Sequence, residues 1–200
     1  RFEWIALLGL TLLAAALRFY RLGSIPRVIN GDEGMIGMVA QSTVSGNLSN
    51  PFALYQNMGG LYLQALNLSI TLFHPNAFSI RLPSAIGGVL SVLVSYLLGR
   101  KIFGRRVGLL AAVLIAMSHT HLNFSRTLTG YIQETWLIPL EVLLLLNGLE
   151  NRRSWQTALS GMLLAVHFSY YLTAPPMVAI MLGYMILCLI FHRQWFRSVL

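Results

Sequence analysis

Apolar runs of roughly membrane length alternate with short polar turns along most of the chain. A helix that crosses a bilayer needs about 20 mostly apolar residues. Six stretches approach that length: residues 4–17, 80–98, 108–122, 131–149, 155–172 and 177–191. The first is short but extends through Phe19 and Tyr20. With Arg1 before it and Ala14-Ala15-Ala16 at its end it also has the features of a secretory signal peptide, although the downstream chain needs an anchored, oriented first helix. Thr173-Ala174-Pro175-Pro176 reads as a break between the last two runs. The pattern holds no internal repeat and no low-complexity segment.

Residues 18–78 form a long first loop with structure of its own. Pro26 precedes Asp32-Glu33, and residues 34–43 read as a short helix with Met35, Met38 and Val39 on one face. Asp32 and Glu33 fall at or near its N-terminus, where the helix dipole favours anions. A turn follows at residues 46–51, then an aromatic and glycine-rich stretch at 52–60. Residues 61–73 are apolar but short, which favours an interfacial helix over a short span. The expected fold is an all-α polytopic membrane protein, a helical bundle with interfacial helices in its first external loop.

Composition agrees. Hydrophobic residues make up 56% and charged residues 10%, against about 25% charged in soluble domains. The net charge of +8 does not point to nucleic acid, because the arginines lie in short clusters between apolar segments and read as topology signals. A single cysteine, Cys188, excludes a disulfide framework and any multi-cysteine metal site. The chain opens on Arg1 rather than Met and reads as a piece of a longer protein.

Nine of the fourteen basic residues sit at Arg1 and in the turns at 100–106, 150–154 and 192–197. The positive-inside rule makes those turns cytoplasmic. The opposite face then collects Asp32, Glu33, Arg81, His121, Arg126, Glu134 and the Tyr170-Tyr171 pair. Topology alone gathers the polar chemistry onto the non-cytoplasmic side.

Several groups there could act. Of only six acidic residues, two are adjacent at Asp32-Glu33, where a carboxylate can serve as general base, or simply cap a helix. Arg81 and Arg126 suit a phosphate at headgroup level, or snorkel to the interface. Glu134 lies one turn into the fourth run, shallow enough to join an external site, and Glu141 follows seven residues on as a deeper structural hydrogen-bonder. His119 and His121 lack a third ligand for a metal. His167 reads as a packed, hydrogen-bonded helix residue. No nucleotide-binding or metalloprotease motif is present, and the cytoplasmic turns are too short for a nucleotide-binding fold. A sugar donor would therefore come through the membrane, and a polyprenyl-phosphate sugar fits.

At these residues the chain resembles the GT-C glycosyltransferases of family 39, the protein O-mannosyltransferases and lipid A aminoarabinose transferases. Asp32-Glu33 matches the acidic pair of their first external loop. Arg81-Leu82-Pro83-Ser84-Ala85-Ile86-Gly87-Gly88, followed by Gly99-Arg100-Lys101-Ile102-Phe103-Gly104, matches the segment spanning the second helix. Residues 121–126 followed by Glu134 resemble the second external turn, where many relatives carry Asp in place of Glu134. The resemblance implies that Asp32 is the catalytic base with Glu33 supporting it, and that Arg81 or Arg126 lies near the donor phosphate. Glu134, His121, Tyr170 and Tyr171 are expected as supporting residues. It further implies no bound metal, with a divalent ion as the lesser alternative. Relatives run to eleven or more spans, so residues 1–200 would be an N-terminal catalytic region of about six.

The expected function is hexosyl or pentosyl transfer from a polyprenyl-phosphate sugar to a protein, lipid or glycan acceptor. The expected location is a prokaryotic plasma (inner) membrane, with the site on the periplasmic or extracellular side. A polytopic lipid or polysaccharide transporter, or a non-catalytic membrane scaffold, are the alternatives.

Overall fold

The computed structural model describes residues 2–44, 54–55, 58–171 and 174–191. The expected turn at 46–51 and the basic residues Arg193 and Arg197 lie outside the described residues. The order is α1 (Phe2–Phe19), α2 (Gly31–Val44), β1 (Leu54–Tyr55), β2 (Met58–Gly59), α3 (Gly60–Phe73) and α4 (Ala77–Phe103). There follow α5 (Arg105–Met117), α6 (His119–Ser125), α7 (Tyr131–Glu150), α8 (Ser154–Phe168) and α9 (Ala174–Phe191). The only pairing of named strands among the described residues is the antiparallel hairpin Leu54↔Gly59 and Tyr55↔Met58. The protein is an all-α bundle with helices long and apolar enough to cross a membrane.

The long helix α4 is the hub, packing on α1, α3, α5, α6 and α7. Asn76 starts it with a reciprocal cap: its side chain accepts from Ser79 N at 2.9 Å, and Ser79 Oγ accepts from Asn76 N at 3.2 Å. Pro83 inside the helix has no N–H to give to the carbonyl of Ser79, four residues back. That carbonyl takes the Ser69 hydroxyl from α3 instead, at 2.6 Å. A sequence irregularity in one helix thus becomes the tie to its neighbour.

At its far end α4 turns into α5 at Gly104, whose φ of +89° suits a residue without a Cβ. Around this turn Glu3 of α1 pairs with Arg100 at 3.2 Å and Arg105 at 4.0 Å and accepts from Tyr96, while Lys101 meets Glu150 at 2.5 Å. The bundle therefore has a basic end, where α1 begins and α4 stops. Its opposite end carries α2, α3 and the hairpin. There Ile36, Ala40, Met58, Tyr62, Leu63, Leu66, Ile70, Ile80 and Leu128 form one buried cluster that seals the first loop onto the helices.

Among the described residues, α4, α7 and α9 are long and apolar enough to cross a membrane, or four spans if α5 and α6 count as one. The expectation of about six included α1 and α8, and α8 has only 15 residues. The run expected at 108–122 is two helices bent by 61°. Ser118 makes the break, its side chain accepting from His121 N at 3.4 Å to cap α6. The expected break at 173–176 also shifts: α9 begins at Ala174 and holds Pro175 and Pro176 in its first turn. Amides there have no intrahelical partner, so proline costs little.

Candidate active site

Asn30 and Glu33 start α2 by capping one another. Glu33 N donates to Asn30 Oδ1 at 2.7 Å, and Asn30 N donates to Glu33 Oε2 at 3.2 Å. Consecutive helical residues point in different directions, so the adjacent acids separate. Glu33 turns inward and is 1% exposed. Asp32 turns outward, is exposed, and makes no side-chain hydrogen bond or ion pair among the described residues.

Glu33 is held from three directions. Arg81 Nε donates to Oε1 at 2.9 Å and Arg81 Nη2 to Oε2 at 3.1 Å, the two-pronged geometry of a guanidinium on a carboxylate. Leu128 N donates to Oε1 at 2.9 Å. Burial pushes the Glu33 carboxyl up, but the Arg81 bond, the Leu128 amide, the Arg81 charge and the Asn30 amide together hold it below its ordinary value.

The remaining Arg81 donors go to backbone: Nη1 to Leu22 O at 3.2 Å and Pro26 O at 2.9 Å, Nη2 to Val28 O at 3.3 Å. All five N–H groups are therefore engaged inside the protein. Arg126 behaves alike, with Nη1 on Leu17 O at 2.5 Å and Arg18 O at 3.0 Å, and Nη2 on Tyr20 O at 2.7 Å and Ile25 O at 3.1 Å. Residues 21–30 form neither helix nor strand, and the last carbonyls of α1 have no intrahelical donor. Arg126 and Arg81 supply the donors that this stretch lacks. Both were expected near a donor phosphate; in the structure Arg81 holds Glu33 and the loop, and Arg126 holds the end of α1 and the loop.

Asp32 lines a cavity of about 180 Å³ together with Met35, Ile36, Met58, Leu128, Thr129, Tyr131 and Tyr171. The Tyr131 and Tyr171 rings meet edge to face, with centroids 5.0 Å apart. Burial and the Tyr131 hydroxyl push the Tyr171 phenol up to about 12, so it stays a neutral donor at physiological pH. Tyr171 is placed by the corner between α8 and α9. Gly59 N donates to Tyr170 O at 2.9 Å, Leu61 N donates to Ser169 O at 3.1 Å, and Met58 bridges Tyr171. A Cβ on Gly59 would lie 2.0 Å from Ser169 O, so only glycine permits this approach.

The other expected residues spread out. Tyr170 packs its ring on Tyr62 and lines a separate apolar groove between α3, α4 and α7. His121 joins a second buried network: Arg18 Nη2 donates to its Nδ1 at 2.9 Å, which puts the ring proton on Nε2, 3.2 Å from Thr135 Oγ1. It is not among the cavity residues. Glu134 contacts His167, as does Glu141, which fits the hydrogen-bonding role expected for Glu141. Among the described residues no group of three or more His, Cys, Asp or Glu could hold a metal ion.

Sequence reasoning missed Met58, Thr129 and Tyr131 as cavity walls. The only signal for Tyr131 was its place one turn before Glu134.

The family described as dolichyl-phosphate-mannose-protein mannosyltransferase matches the chain over residues 58–200. The matched stretch includes Arg81, Arg126, Glu134, His167 and Tyr171 and begins after Asp32 and Glu33. No curated protein and no solved structure matches.

Proposed function

From the premise that this chain belongs to the dolichyl-phosphate-mannose-protein mannosyltransferase family, whose members are membrane glycosyltransferases of the GT-C type, we propose that it moves a mannose-like sugar from a polyprenyl-phosphate donor to an acceptor hydroxyl at the α2 end of the bundle. The observation that carries the proposal is the division of the acidic pair: Glu33 is locked into the fold, while Asp32 stands uncommitted at the mouth of a tyrosine-walled cavity.

In this reading Asp32 accepts the proton of the acceptor hydroxyl as its oxygen bonds to the anomeric carbon. The bond between that carbon and the phosphate oxygen breaks, and polyprenyl phosphate leaves with the electron pair. Tyr131 and Tyr171 offer hydroxyls to the sugar or the acceptor from the cavity wall. Glu33 and Arg81 act as positioning residues that fix the turn bearing Asp32.

The phosphate contact shifts relative to the sequence expectation. Arg81 and Glu33 cancel in charge, which leaves Arg126 as a net positive charge behind the loop carbonyls. Arg27, exposed on the same stretch and uncommitted among the described residues, is the more available guanidinium for a lipid phosphate. The basic turns at the other end of the bundle support a cytoplasmic assignment there, and with it a non-cytoplasmic side for Asp32. Transfer of labelled sugar from polyprenyl-phosphate donors by membranes holding the full protein, with and without Asp32→Asn, tests the proposal.

A further inference from the structure

A buried ionisable cluster joins α7 to α8 away from Asp32. His167 is fully buried, with Nε2 at 2.6 Å from Glu134 Oε2 and Nδ1 at 3.0 Å from Glu141 Oε1. Glu134 and Glu141 are two turns apart, so both carboxylates face α8. Ser160, two turns before His167, donates to Glu141 O at 2.8 Å and fixes the same register. A neutral imidazole has one N–H, so pairing both nitrogens with carboxylate oxygens takes one further proton, on the ring or on an acid.

A clamp between two membrane helices is the plain reading of such a cluster. What raises it above that is where α8 goes next. The His167 carbonyl accepts from Tyr170 N at 2.9 Å and Tyr171 N at 3.3 Å, closing the turn that ends α8. Tyr170 and Ser169 give their carbonyls to Gly59 N and Leu61 N, and Tyr171 forms one wall of the Asp32 cavity. On the other strut, Glu134 lies one turn along α7 from Tyr131, the facing wall. The contact between His167 and Glu134 therefore ties the roots of both tyrosine walls.

We propose that His167 is a positioning residue of the Asp32 cavity: anchored by Glu141 and tied to Glu134, it sets the Tyr171 wall against the Tyr131 wall. Its kinetic consequence rests on the transferase reading; its structural consequence does not.

The test uses two conservative variants of the full protein in membranes. The amide nitrogen of Gln reaches the place of Nε2 and keeps the tie to Glu134. That of Asn reaches only the place of Nδ1 and keeps the contact with Glu141. His167→Gln should keep turnover within about tenfold, while His167→Asn should lose roughly 100-fold in kcat with donor KM little changed. A fluorine label on the Tyr171 ring reads the wall without any activity: its resonance should move toward the solvent-exposed value in the Asn variant and stay near wild type in the Gln variant. A fluorine signal unchanged in both variants would overturn the inference. If the wild type transfers no sugar while the fluorine signal moves as expected, the transferase reading fails and the positioning role stands.

Discussion

Glu33 and Arg81, 48 positions apart in the chain, meet in two parallel hydrogen bonds of 2.9 and 3.1 Å, and both side chains are sealed from solvent. Removing one partner of such a pair strands a buried charge, which typically costs about 3–5 kcal/mol. Arg81→Ala should lower the unfolding free energy of the full protein by about that amount in detergent titrations. Arg81→Lys should rescue little, because an ammonium cannot present five donors to Glu33 and three carbonyls at once.

The same pair sets an acid dependence. The folded Glu33 pKa lies below its unfolded value, so the unfolded chain binds the proton more tightly between the two. The stability this contributes is present above the ordinary carboxyl value of about 4.3 and is lost as pH falls through the lowered folded value. Acid unfolding followed by tryptophan fluorescence should show that loss, and Glu33→Gln should remove this component while lowering stability at neutral pH.

Arg126 holds two carbonyls at the end of α1 and two in the stretch that follows it. Arg126→Ala should raise amide exchange in the segment around residues 20–28 by more than tenfold while the amides of α7 stay protected, as read by hydrogen-exchange mass spectrometry. Arg27→Ala should leave that protection unchanged and raise the donor KM severalfold. Equal donor KM in wild type and Arg27→Ala would remove Arg27 from the phosphate contact.

Gly59 leaves no room for a side chain against the Ser169 carbonyl. Gly59→Ala should part the hairpin from the corner that carries Tyr171, lowering both thermal stability and turnover. Loss of turnover beyond the loss of folded protein is the informative outcome, measured by normalising activity to monodisperse protein.

Much of the scaffold was legible because long apolar runs specify membrane helices almost by length alone. Residues 131–149 were read as one helix, and α7 spans Tyr131–Glu150. The misreadings have local causes. Pro175 and Pro176 look like a breaker but occupy a first turn, where their missing amides are not needed. Ser118 is a cap hidden inside an apolar run, so the bend between α5 and α6 was invisible to a hydropathy window. The acidic pair stands out in the sequence, but its division does not, because helical phase relative to the bundle decides which acid faces inward. The arginines were legible as charges, but their hold on the chain after α1 was not, since most of their partners are backbone carbonyls that no residue type announces.

The central claim is that Asp32 is the base of a sugar transfer while Glu33 belongs to the fold. Its most direct test is the rate of sugar transfer from a polyprenyl-phosphate donor by the full protein in membranes, comparing wild type with Asp32→Asn at matched folded protein. The account predicts a loss of about 100-fold or more with an unchanged thermal transition. Transfer at the wild-type rate in Asp32→Asn would contradict it and leave Asp32 an ordinary charge at the start of a helix.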